Sequence, residues 1–148
     1  MPTQEALEVV EQHARLRETL QALEATLRRP PASLRDLDAV RRLAQSLERL
    51  CTLLREHFGY EERSGLFEQM LSARPETAHA VARLRGEHAR LSRRAENLCE
   101  GGERALELGY GEALFIEIGS LLDAIRRHES EEEALLVETV EGVVPALD

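Results

Sequence analysis

Apolar residues recur along the chain in alternating steps of three and four, the repeat of helices that bury one narrow face. The first run is Val9, His13, Leu16, Leu20, Leu23 and Leu27. It predicts a helix from about Thr3 to Arg28. Arg29-Pro30-Pro31 stops it, because proline lacks the amide donor that a helix interior uses. The second run is Val40, Leu43, Leu47, Leu50, Leu54, His57, Glu61 and Ser64. Its helix opens on Ser33 or Asp36 as cap, fades near Leu71 and turns at Ser72-Ala73-Arg74-Pro75. The third run, Val81, Leu84, His88, Leu91, Ala95 and Leu98, starts near Pro75 or Glu76 and is expected to end at Gly101-Gly102. Glu103 to Gly111 is then the longest connection, with room for one short helical turn. The fourth run is Leu114, Ile118, Leu121, Ile125, His128, Glu132 and Leu135, in a helix from about Glu112 to Val140. The short apolar tail after Gly142 is expected to cover one end.

Four such helices predict an all-α fold: an antiparallel up-down-up-down four-helix bundle whose seams face one another. The 148 residues suit a single domain spanning 1–148, and no glycine-rich linker divides them. At about 1.5 Å per residue, His57, Glu61, His88 and His128 stand within roughly a turn of one level. His57 is farther from Pro30-Pro31 than His13 is. Residues 31–38 are therefore expected to be a loop or overhang.

Composition narrows the function. Aromatics make up 3% of the chain against 43% apolar residues, so the core is mostly Leu, Val, Ile and Ala. All 19 basic residues are arginine, which excludes lysine Schiff-base chemistry and a P-loop. A net charge of -9 repels phosphate backbones and argues against nucleic-acid binding. No apolar run is long enough to span a membrane, and the N-terminus lacks the apolar stretch of a signal peptide. The expected location is the cytoplasm, without membrane contact. Cys51 and Cys99 sit on different helices with no C-x-x-C spacing. They read as structural thiols rather than a disulfide or zinc site.

The chemistry lies inside the seams. Four of the five histidines, His13, His57, His88 and His128, fall on seam positions, one per helix. A strict seam takes two positions in seven, so chance gives this at about the few-per-cent level. His79 lies on the opposite face. His57 with Glu61, and His128 with Glu132, repeat H-x-x-x-E-E, which places imidazole and carboxylate on one face. One seam histidine alone is ordinarily a satisfied core residue. Six polar groups desolvated without partners would cost roughly several kcal/mol each. A shared metal removes that cost, and imidazole with carboxylate suits iron, zinc or manganese. Glu61 and Glu132 could each bridge two ions. The alternative is a His–Glu hydrogen-bonded network in a metal-free structural bundle. Glu62, Glu131 and Glu133 read as solvated. Glu87 and Glu129 read as surface residues within reach of a ligand. Tyr110 and Phe115 read as packing, and the arginine pairs 28/29, 41/42, 93/94 and 126/127 as solvent faces.

The ordered set His13, His57-x-x-x-Glu61, Glu87-His88, His128-x-x-x-Glu132 resembles the hemerythrin-like (HHE cation-binding) family. The run from His57 to Phe67 is similar to that family's H-x-x-x-E-E-x-x-L-F stretch, and Ile125-Arg126-Arg127-His128 with Glu132-Glu133 to its second copy. The resemblance spans nearly the whole chain. It implies a non-haem di-iron centre that meets O2, nitric oxide or peroxide. Two iron ions would be bridged by Glu61 and Glu132 together with an oxo or hydroxo bridge. His13 and His57 would hold one ion, His88 and His128 the other. Oxygen-carrying members have a second histidine four residues from the first on the third helix. This chain has Leu84 and Ser92 at those positions, so one iron would keep an open or water-filled place, or take Tyr60. The resemblance thus implies sensing of O2, nitric oxide or redox state, or iron binding, rather than reversible O2 carriage. An oxidoreductase acting on peroxide or nitric oxide is the alternative.

Overall fold

The computed structural model describes residues 3–28 and 37–141. The expected cap at Ser33 or Asp36, most of the expected 31–38 loop and the tail after Gly142 lie outside the described residues. Within them all regular structure is helical: α1 (Gln4–Arg28), α2 (Leu37–Ser64), α3 (Leu66–Ala73), a 3-10 turn (Pro75–Thr77), α4 (Ala78–Glu107) and α5 (Gly111–Glu141). α1 begins where the Thr3 hydroxyl accepts the Ala6 amide at 3.2 Å, which satisfies one of the open donors of a first turn.

Two boundaries differ from the periodicity. The second helix does not fade near Leu71 but breaks at Gly65, whose φ of 81° is the left-handed conformation that glycine adopts without strain. The Ser64 hydroxyl accepts the Leu66 amide there at 3.3 Å. The break lets α3 turn across one end of the molecule. The other difference is α4, which continues through Gly101-Gly102 to Glu107. The seam explains it: Gly102 is buried, and Leu98, Ala105 and Leu106 pack on the core on either side of it. Packing of the seam outweighs the roughly 1 kcal/mol helix penalty of a glycine. Only Leu108, Gly109 and Tyr110 then connect α4 to α5. Gly109 has φ 83°, and the Tyr110 amide reaches back to the Ala105 carbonyl at 2.8 Å, a Schellman stop. Tyr110 is exposed there rather than packed, whereas Phe115 packs on the core.

α1 packs on α2 and α5, and α4 also packs on α2 and α5, so these four close a ring. Their buried apolar residues form two separate clusters. The larger contains Leu16, Leu54, Leu91 and Ile125; the smaller contains Val9, Val81 and Leu136, joined by Leu66, Phe67 and Met70 from α3. α1, α4 and α5 therefore each pass from one cluster to the other around their polar seam residues, and α2 reaches the smaller one through half-buried Tyr60 and the adjoining α3. His13 lies between Val9 and Leu16, His57 and Glu61 between Leu54 and Leu66, His88 between Val81 and Leu91, His128 and Glu132 between Ile125 and Leu136. On α5 the seam resumes with buried Leu136, while Leu135 is half-buried. A helix of 3.6 residues per turn drifts off a strict seven-residue repeat in this way.

Candidate metal centre

The polar layer is as deeply buried as the apolar core on either side of it. His13, His128, Glu61 and Glu132 are at most 1% exposed, His57 2% and His88 6%. The i, i+4 spacing on α2 brings His57 Nε2 into direct contact with Glu61 Oε1. On α5 the same spacing puts His128 Nε2 3.3 Å from Glu132 Oε2. Across the layer, Glu132 Oε1 lies 3.0 Å from His13 Nε2 and 3.6 Å from His57 Nε2. Glu132 Oε2 lies 3.8 Å from His88 Nε2. Glu61 Oε2 stands 3.9 Å from the same His88 nitrogen.

These atoms fall into two overlapping groups. His13, His57, Glu61 and Glu132 present ligand atoms all within 4.8 Å of one another, and so do His88, His128 and Glu132. Glu132 belongs to both. All six residues expected from the sequence therefore meet in one place, and Tyr60 is in neither group. Tyr60 packs against the smaller apolar cluster instead.

The outer face of three imidazoles is already committed. His57 Nδ1 lies 2.9 Å from Gln12 Oε1, His88 Nδ1 3.0 Å from Glu62 Oε1, and His128 Nδ1 3.2 Å from Glu87 Oε1. Amide and carboxylate oxygens only accept, so each Nδ1 carries the hydrogen. That leaves the Nε2 lone pair of each ring directed inward, the tautomer a metal requires. Glu62 is thus no merely solvated residue, and Glu87 makes the reach to a seam histidine that its position allowed. Gln12 was not legible as a partner. Each of the three stands next to a seam residue on a neighbouring helix, a relation visible only once the helices are packed.

Inward, the layer lacks partners. His88 Nε2, His128 Nε2, both oxygens of Glu61 and Oε2 of Glu132 are buried without a hydrogen bond. Burial pushes the Glu61 carboxyl upward, and the neighbouring Glu132 charge adds to it. Burial also acts on Glu132, but the surrounding imidazoles of His128, His13, His57 and His88 outweigh it and hold that carboxyl well below its usual range. Desolvation opposes a charge on His128, yet Glu132 and Glu87 raise it overall. Orphaned nitrogens and oxygens facing one space, with fixed tautomers behind them, fit a bound cation and suit borderline divalent metals. Satisfying them without one would bury several imidazolium ions against two carboxylates.

The walls are apolar. The Phe58 ring stacks on His88 with centroids 4.1 Å apart and planes 9° apart, and Phe67 from α3 lies 5.7 Å from the same imidazole. Leu84, one turn before His88, is fully buried. Glu129, read from the sequence as a surface residue, is 7% exposed, and its Oε1 has no hydrogen bond. Burial raises its carboxyl, against the pull of His13, His57 and Arg17. Among the described residues no helix is long and apolar enough to cross a membrane.

No curated protein and no solved structure matches the chain. The metal-ready layer is set in a helical ring, and the Hemerythrin HHE cation binding domain model matches residues 7–140, so the chain belongs to the hemerythrin HHE cation-binding family.

Proposed function

We propose that this protein is a single antiparallel up-down-up-down four-helix bundle holding two iron ions in its polar layer. The alternation of apolar clusters along α1, α4 and α5 supports the topology. His13, His57 and Glu61 serve one ion, and His88 and His128 the other. Glu132 is the bridge, with Glu61 as the second bridging carboxylate. The observation that carries this reading is the membership of Glu132 in both groups of convergent ligand atoms.

Iron bound there supplies electrons and an open coordination place to a small ligand such as O2, nitric oxide or peroxide. The chain's own residues do the rest. Gln12, Glu62 and Glu87 hold the imidazoles in the metal-binding tautomer. Phe58, Phe67 and Leu84 keep water from the His88 side. With both carboxylates bridging, each ion would have two imidazoles, and Leu84 and Ser92 on α4 add no further ligand beside His88, so the ion there would keep the more open place. This asymmetry favours a sensor or a reactive site over a reversible carrier. We place the protein in the cytoplasm from its sequence.

The test is iron content per chain, followed by exposure of the loaded protein to O2, nitric oxide and hydrogen peroxide. Near two irons in the wild type, and near none in Glu132→Ala, is the expected result. Equal iron in both would overturn the assignment. A lasting spectral adduct indicates sensing; steady peroxide or nitric oxide consumption indicates an oxidoreductase.

A further inference from the structure

The two cysteines fall outside the metal layer and outside the function proposed above. Both are free. Cys51 is on α2, two turns before His57, and Cys99 is on α4, three turns after His88. The Cys99 thiol lies 3.2 Å from the Leu47 carbonyl oxygen. In an α-helix that carbonyl is the acceptor for the amide of residue 51, four positions on. Cys99 is therefore seated against the backbone of Cys51, and the two side chains are within hydrogen-bonding reach of each other. Both line one open surface cleft with Glu48, Thr52, Arg55, Glu96 and Glu100. Cys51 is 5% exposed, and Cys99 is half-buried. The pair thus has an outer and an inner member on one path from solvent.

We propose that Cys51 and Cys99 form a redox-active dithiol that a hydroperoxide closes into a disulfide between α2 and α4. Cys99, the more accessible, reacts first. Its sulfur attacks the peroxide, an S–O bond forms, the O–O bond breaks, and the thiol proton leaves with the alcohol. Cys99 is then a sulfenic acid. The Cys51 sulfur attacks it, the S–S bond forms, the S–O bond breaks, and water leaves with the Cys51 proton. Two thiols and one hydroperoxide become one disulfide, one alcohol and one water. The inner thiol protects the outer from further oxidation. The bond would close the stretch from 51 to 99, which contains His57, Glu61, Glu62 and His88.

Burial sets the speed. It pushes the Cys99 thiol up to about 12, with the Cys51 sulfur and Glu48 adding to the rise, and raises Cys51 as well. Thiolate is the nucleophile, so closure is slow near neutrality and quickens with pH. The dithiol answers sustained oxidant rather than a brief pulse.

The test treats the full-length, iron-loaded protein with tert-butyl hydroperoxide and analyses it by non-reducing mass spectrometry. The expected product is lighter by two hydrogen atoms, yields one peptide cross-linked through Cys51 and Cys99, and reverts with dithiothreitol. Its rate should rise about tenfold per pH unit between about pH 7 and 9. In Cys51→Ser, Cys99 should be trapped as a dimedone adduct instead. Disulfides between chains, a sulfinic product on Cys99 without the cross-link, or retention of both thiols would each overturn the proposal in the wild type alone.

Discussion

The chain writes H-x-x-x-E twice, and the two copies behave differently. Glu132 stands within 4 Å of all four imidazoles of the layer, at 3.0, 3.6, 3.8 and 3.3 Å. Glu61 touches His57 and comes only to 3.9 Å from His88. The first is held as a carboxylate; burial and its neighbour push the second towards the neutral acid. The same H-x-x-x-E spacing thus leaves one carboxyl held low and the other pushed up. The number of imidazoles each side chain meets across the bundle makes the difference, and no spacing rule along one helix contains it.

The largest effect expected from this comparison is Glu132→Ala. It should abolish binding of both ions and lower stability by about 3 kcal/mol or more, because it leaves buried imidazoles without their anion. Glu61→Ala should keep one ion. Iron analysis together with thermal melting of the two variants checks this, and the reverse ranking would sink the distinction. Next is the proton. With Glu61 raised, metal displaces its hydrogen, so affinity should climb with pH by up to about a decade per unit for each proton released. Titration calorimetry in two buffers of different ionisation heat reads that proton directly.

The metal-free protein gives the same comparison a stability form. A raised Glu61 contributes stability below the ordinary value of 4.5 and loses it as pH rises above. A depressed Glu132 contributes above that value and loses it as pH falls. Chelated protein should therefore weaken in both directions, whereas loading with iron should flatten the alkaline side. Melting curves across pH, with and without chelator, decide it. Smaller again are the outer partners. Glu62→Ala and Glu87→Ala should weaken binding about 10- to 100-fold on the His88–His128 side, and Gln12→Ala should fall at or below the lower end on the other. Stepwise metal titration separates the two sides.

The sequence carried the six inward residues because helices bury one face, and a polar group on that face is conspicuous. It also carried the helical class and the turn at Ser72-Ala73-Arg74-Pro75 between the second and third seams. It could not carry the break at Gly65, since the period runs on through Ser64. Only the need of Leu66, Phe67 and Met70 to cover the bundle's end favours a left-handed glycine there. It misjudged Gly101-Gly102 for the opposite reason: two glycines look like a stop, but Leu98, Ala105 and Leu106 continue the seam across them. Gln12, Glu62 and Glu129 were hidden because their roles depend on neighbours from other helices.

The position of the polar layer between two apolar clusters has a consequence for traffic. A molecule travelling along the bundle axis from the α3 end must dissolve among Phe67, Met70, Leu66, Val81 and Leu136; from the other it must pass leucines and isoleucines. Neutral diatomics partition into such a medium readily, and ions shed their hydration only at great cost. The two clusters act as a solubility filter in series with the centre. Gases can arrive by diffusion through the closed protein, while a metal ion has to wait for the helices to part.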